Sequence, residues 1–351
     1  MIEVLGEAQV TALVGLLGGV LLGLAARLGR FCTLGAIEDA LYAGSDTRLR
    51  MWGVAIGVAI IGSFALSAAG GLQTERTIYL AFAFQPVAAV LGGAMFGYGM
   101  ALAGNCGYGA LARLGGGDLR SFVIVLVMGL AAFATISGPL AYVRVAAFAQ
   151  TPALAGTPGI AQGLAVLSGL SANAIGIAVG AIVLGVTLAA PAFRREGKAI
   201  VWGGVVGLAV VSGWAGTQWV AANGFGPTTI ESHTFAAPLG ETMLYAMTAS
   251  GRSLSFGVGS VAGVLLGAFA GSLMKGHFRW EACEDPRELR RQIVGAALMG
   301  VGAVLAMGCS IGQGLSAVSV LAYSAPVVMV GIFAGAWIGL RQLITGFARI
   351  A

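Results

Sequence analysis

Runs of about twenty apolar residues recur along this 351-residue chain, parted by short segments that carry most of its charge. That pattern allows few folds. Only 9% of the residues are charged, against about 25% in a soluble domain. So few charges cannot cover a water-facing surface, and much of this surface must face lipid. Nine stretches fit a hydrocarbon core about 30 Å thick. They run over 8–28, 52–71, 86–104, 121–142, 168–190, 199–220, 254–274, 292–308 and 327–345. The segment 145–165 is apolar but holds Pro152 and Pro158, and reads as a loop. The stretch 232–250 is mixed and reads as a short interfacial or re-entrant helix. The first run follows Glu3 and Glu7 with no basic residue before it, so it reads as a retained span, not a signal peptide.

Nine spans put the termini on opposite sides, and the positive-inside rule chooses between them. With the N-terminus outside, 16 of the 19 Lys and Arg residues fall on the inner face. Only Arg76, Arg144 and Arg252 fall on the outer one. The expected orientation is therefore N-terminus periplasmic and C-terminus cytoplasmic. The same placement explains a net charge of +5 without nucleic acid. The 58 glycines sit inside apolar runs, where they let helices approach closely. Low-complexity disorder would place them in polar ones.

Two stretches repeat a pattern. Gly92–Leu114, GGAMFGYGMALAGNCGYGALARL, resembles Gly295–Val318, GAALMGVGAVLAMGCSIGQGLSAV. Cys106 aligns with Cys309 at an offset of 203. A weaker similarity joins Gly18–Phe31 to Ala262–Phe278. The expected orientation puts the Cys106 loop inside and the Cys309 loop outside, the inverted arrangement of many secondary transporters. The expected fold is all-α and membrane-integral, with about nine transmembrane helices and short re-entrant half-helices. It forms one transporter domain, 1–351, with inverted pseudo-two-fold halves at about 8–145 and 165–345.

Three cysteines share one setting: GRFCTLGAIEDALY around Cys32, AGNCGYGALARL around Cys106, and AMGCSIGQGLSAVSVLAY around Cys309. Each follows a glycine closely and precedes a short helical stretch. A glycine permits a sharp turn. The cysteine then lies beside the free N–H groups of a helix N-terminus, which favours an anion and polarises the thiol. Irregular backbone at membrane depth survives only where it lines a protected cavity. Together these features describe a narrow, sulfur-lined path for a small anion through Cys32, Cys106 and Cys309. Asn105, Gly107, Gly308, Ser310 and Gln313 are its expected supports. Asn105 and Gln313, if buried, need hydrogen bonds to backbone or substrate. Cys283 lies in the charged segment RWEACEDPRELRRQ and reads as an ordinary thiol. Glu38 and Asp39 read as a solvated helix end, with support of that helix or coupling to protons as the alternatives. No CxxC pair is present and His233 and His277 are far apart, so neither a metal site nor a cofactor is expected.

The segments GRFCTLGAIEDAL, GYGMALAGNCGYGALARLGGGDLRS and LMGVGAVLAMGCSIGQGLSA resemble the signature segments of the YeeE/YedE family of sulfur transporters, over essentially the whole chain. That resemblance implies thiosulfate uptake across the bacterial inner membrane. It also implies a relay in which Cys32, Cys106 and Cys309 hold the substrate briefly through S–H···S contacts. The implied partner is a small cytosolic sulfur-carrier protein. Other family members are linked to selenium, so a second reading is transport of another sulfur or selenium compound. A third is a membrane thiol-redox enzyme or sulfurtransferase, which the isolated spacing of the cysteines disfavours. A fourth is a structural protein with cysteines as filler, for which substitution of all three by Ser would be harmless.

Overall fold

The computed structural model describes residues 6–153, 159–226, 228–282 and 285–346. Cys283, Pro158, Glu3 and Arg349 lie outside them. The described chain is helical, and its β-pairing is limited to isolated bridges such as Thr77 with Ile230. The first half holds α1 (Glu7–Leu28), α2 (Thr33–Glu38), α3 (Thr47–Ala68), α4 (Pro86–Ala103), α5 (Gly107–Gly115) and α6 (Leu119–Ile136). A connecting region follows, with α7 (Pro139–Ala147), α8 (Ile160–Ser168), α9 (Ala172–Leu188) and α10 (Pro191–Arg194). Then come α11 (Gly197–Asn223), α12 (Ala237–Thr248), α13 (Phe256–Met274), α14 (Pro286–Leu305) and α15 (Ser324–Thr345). A wider π-type turn extends α2 over Asp39–Ala43, and another covers Gly312–Ala317.

Seven of these stretches are long and apolar enough to cross a membrane, and an eighth if α8 and α9, bent by 116°, form one span. The expectation of nine differs at two places for physical reasons. The expected fifth span is the bent pair's second arm, only 17 residues long. The expected eighth is α14, which opens on Arg287, Glu288, Arg290 and Arg291, leaving a short apolar remainder. The segment expected as a loop after residue 145 contains the helical turns of α8. The expected fourth span ends early because Gly138 and Pro139 stop α6 and start α7. The mixed stretch near 232–250 does form a short helix, α12.

Glycine explains how the helices meet. α4 and α14 cross antiparallel. A Cβ on Gly99 would lie 2.5 Å from the Gly295 carbonyl oxygen, and one on Gly295 would lie 2.5 Å from that of Gly99. Gly92 and Gly302 form the same reciprocal contact at 2.7 Å. Such reciprocity is what a two-fold axis between the helices produces. The offset of 203 carries Gly92 onto Gly295 and Gly99 onto Gly302. It also carries α4 onto α14, α5 onto the turns after Cys309, and α6 onto α15. The two stretches of the weaker similarity lie on α1 and α13, which pack in parallel, Gly19 against Gly263, along one seam of small residues.

Candidate functional site

The three cysteines occupy one local structure, built three times. Each is the N-cap of a helical segment, with extended backbone at Cys32 and Cys106. Each sulfur accepts the backbone N–H three residues on: Gly35 to Cys32 at 3.4 Å, Gly109 to Cys106 at 3.4 Å, and Gly312 to Cys309 at 3.5 Å. Two residues before each cysteine the chain turns through the left-handed region, at Arg30 (φ 59°), Gly104 (φ 76°) and Met307 (φ 55°). Two of those residues carry a side chain there, at a cost of about 1 kcal/mol or more each. The recurring sequence is Cys-x-x-Gly: CTLG, CGYG and CSIG. The motif holds a glycine before each cysteine as well as one after it, and only the first is evident from sequence reasoning. That second glycine brings its N–H to the sulfur.

The three caps converge. Tyr108 donates to the Leu22 carbonyl at 2.6 Å, so α5 starts beside the last turns of α1. Thr33, next to Cys32, approaches the Cys106 sulfur at 3.9 Å. The chain therefore folds back after Leu28 to bring Cys32 to that level. From the other half, Ser310 accepts a hydrogen bond from Thr33 at 3.1 Å. Three helix N-termini thus face one junction, each equivalent to roughly half a positive charge. Cys32, Cys106 and Cys309 are free thiols, the last two buried and Cys32 partly exposed.

A fourth segment reaches the junction that sequence reasoning did not place there. Phe235 donates its backbone N–H to the Cys309 sulfur at 3.3 Å, and the Thr234 hydroxyl lies 3.6 Å from it. Ser316 donates to the His233 carbonyl at 2.7 Å and pins this segment to the Cys309 half-helix. The signal was available: the offset of 203 carries Cys32 onto Phe235. Aromatic rings close the junction, with Tyr108 and Phe235 at 5.5 Å and Phe31 stacked on Trp52 at 4.7 Å. His233 is a fully buried core residue, with Nδ1 2.6 Å from the Ser260 hydroxyl.

The expected supports divide. Ser310 belongs to the junction. Asn105 is buried beside Cys106, and its Oδ1 has no hydrogen-bond partner. Gly107 follows Cys106 and leaves room for the Met128 sulfur. Gly308 packs against Gln313. Gln313 is occupied structurally: it donates to the Ala306 carbonyl at 2.6 Å and accepts from Ser324 at 3.1 Å, holding the turn that presents Cys309. Asp39 is not merely solvated, because it pairs with Arg48 at 3.0 Å. Among the described residues no group of three His, Cys, Asp or Glu side chains could hold a metal ion.

Cavities approach the junction from two ends. One, of about 370 Å³, is lined by Cys32, Asn105, Arg27, Arg30, Arg48, Arg113, Lys275 and His277. Burial, then Arg30, Lys198 and Arg27, push the Lys275 ammonium below its ordinary range. The other end holds two adjoining cavities, of about 300 and 270 Å³, which share Tyr79, Phe82, Arg144, Gln150, Val304 and Met307. Glu231, Thr234 and Gly308 line the second of these, beside Cys309. Cys32 therefore faces the arginine-rich end, Cys309 neighbours the opposite end, and Cys106 is enclosed between them.

Residues 28–338 match the family described as Sulphur transport. The chain belongs to that family. Two known proteins resemble this chain along nearly their full length. One is a thiosulfate transporter, TsuA, of Escherichia coli (strain K12), 26% identical over 345 residues, 92% of each chain. Another is a thiosulfate transporter, TsuA, of Spirochaeta thermophila, 26% identical over 335 residues, 92% of this chain and 96% of the relative. The sulphur-transport match spans all three cysteine caps and, Ala26 and Arg27 apart, the lining of both groups of cavities. With its apolar helices, it makes this chain a multi-pass membrane transporter for sulfur and not an enzyme.

Proposed function

We propose that this transporter takes up thiosulfate across the bacterial inner membrane, passing it along Cys309, Cys106 and Cys32. The observation that carries the reading is the threefold cap, in which each sulfur sits at a helix N-terminus and all three meet at one junction. A helix N-terminus favours an anion, and a thiol is a soft, weak hydrogen-bond donor suited to a terminal sulfur. Each contact is weak, so the ion is held and released instead of trapped. Three such posts replace the water that the ion loses on entering.

The arginine-rich end is the cytoplasmic one under the positive-inside rule, which places the N-terminus outside and the C-terminus inside. Entry is then past Arg144 and Cys309, and exit is past Cys32 into a cationic cavity. The two inverted halves span about 8–145 and 165–345. The cationic exit also suits an acidic patch on a small cytosolic sulfur carrier that removes the product. Both relatives named as thiosulfate transporters support this choice of ion over a selenium compound.

The test is uptake of labelled thiosulfate, sulfate and selenite into vesicles holding the intact protein. Thiosulfate accumulates in preference to the other two, and Cys106→Ala and Cys309→Ala each lower its uptake at least tenfold while the protein remains folded. Undiminished uptake in both variants would overturn the relay. A persulfide or disulfide accumulating on these cysteines during turnover would instead favour a redox or sulfurtransferase reading.

A further inference from the structure

The outer cavities carry a carboxylate where an anion path has no evident use for one. Glu231 lines the cavity that leads to Cys309, together with Arg144, Tyr79 and Thr234. It lies three residues before Thr234, whose hydroxyl touches the Cys309 sulfur at 3.6 Å. The backbone around it is fixed. Thr217 donates to the Glu231 carbonyl at 2.8 Å and accepts the Glu231 N–H at 3.2 Å. The backbone that carries the carboxyl is thereby tied to α11.

An ionised carboxylate here opposes a dianion entering the same cavity, because repulsion in a poorly hydrated space is only weakly screened. A protonated one offers an O–H donor to that dianion instead. We propose that Glu231 is a proton-dependent gate for anion entry: the anion occupies the outer cavity when Glu231 is protonated, and binding draws a proton onto it from the outer solution. This rests on the reading of the chain as a thiosulfate transporter and adds a linked proton to it.

The surroundings suit that role. Arg144 from α7 and Tyr79 from the connection between α3 and α4 line the same cavity as Glu231, and the Glu241 carboxylate from α12 acts on it electrostatically. His233, two residues on, bonds Ser260 instead. Burial, and then the Glu241 carboxylate, push the Glu231 carboxyl up to about 7. Arg144 donates to the carbonyls of Thr135 and Ile136, at 3.0 and 3.4 Å, so its guanidinium is held at the cavity wall. It attracts the anion while leaving the carboxyl free to take its proton.

The gate is tested on the full-length protein in detergent, by measuring thiosulfate affinity between pH 6 and pH 8. Only the protonated fraction binds, so the wild-type affinity is about tenfold weaker at pH 8 than at pH 6. Glu231→Gln holds the pH 6 affinity across the whole range, and Glu231→Asp restores a pH dependence. Calorimetry in buffers of different ionisation enthalpy adds a second readout: near pH 7.5 wild type takes up close to one proton per anion bound, and Glu231→Gln takes up none. If Glu231→Gln binds thiosulfate with the same pH profile and proton uptake as wild type, the gate is wrong and the transporter reading stands. If wild type and Glu231→Gln both fail to bind thiosulfate at every pH while remaining folded, the transporter reading itself fails.

Discussion

Thr33 donates a hydrogen bond to Ser310 at 3.1 Å, across 277 residues of sequence. Each of the two follows a cysteine directly, Thr33 after Cys32 and Ser310 after Cys309. The bond therefore joins the first turns of two cysteine-capped half-helices from opposite halves of the chain. Both residues are buried, so no water replaces the bond if one partner is lost.

Thr33→Val keeps the shape and removes the donor. It leaves the Ser310 hydroxyl short of a partner and lowers stability by about 1–2 kcal/mol. Uptake falls as well, because the relative position of Cys32 and Cys309 loosens. Thermal unfolding in detergent and vesicle uptake together check this, and Thr33→Ser should recover both. Unchanged stability in Thr33→Val would show that the bond contributes nothing.

Gly312 has no side chain where one would press on Cys309's neighbours. A Cβ there would lie 2.5 Å from the Thr234 hydroxyl and 2.9 Å from the Tyr79 hydroxyl. Gly312→Ala should displace both groups from the cavity beside Cys309 and lower uptake several-fold. Gly204, with nothing within 4 Å of an added Cβ, is the control, and Gly204→Ala should transport normally.

The α4–α14 crossing predicts a stability effect. Gly295→Ala places its methyl 2.5 Å from the Gly99 carbonyl and must force two backbones apart. The expected loss is about 1–3 kcal/mol. Gly99→Ala should cost a similar amount, because its contact is the mirror of the first. Strongly unequal losses in the two variants would argue against the two-fold relation.

Glu231 gives a pH dependence of stability whose sign is fixed. Its carboxyl is raised in the folded protein from an ordinary value of 4.5 to about 7. The folded state then binds more protons than the unfolded state between those values, so stability falls as pH rises through that window. Wild type should unfold at a lower temperature at pH 8 than at pH 5. Glu231→Gln should remove part of that difference, and an identical slope in the variant would contradict it.

Much of the architecture was legible in the sequence because lipid imposes simple rules. Apolar runs such as Thr47–Ala68 and Ser324–Thr345 need no tertiary context to be recognised. Others were mistaken for local reasons. Pro139 ended a span that hydropathy alone continued, and the charged first turns of α14 shortened another. The weaker similarity, Gly18–Phe31 to Ala262–Phe278, falls on α1 and α13, whose glycines pack on each other.

The sequence by itself determined the lipid-facing class, the 203-residue repeat and the identity of the three cysteines. Those features are written in composition and local spacing, and hydrophobicity and backbone turns act over a few residues at a time. Only the tertiary structure decided that Cys32, Cys106 and Cys309 meet at one junction. It alone placed the backbone N–H of Phe235 on the Cys309 sulfur, engaged Gln313 in holding a turn, and left Glu231 in the cavity beside Cys309. Which buried polar group meets which depends on how helices far apart in sequence close on their glycine seams, and no local pattern encodes that.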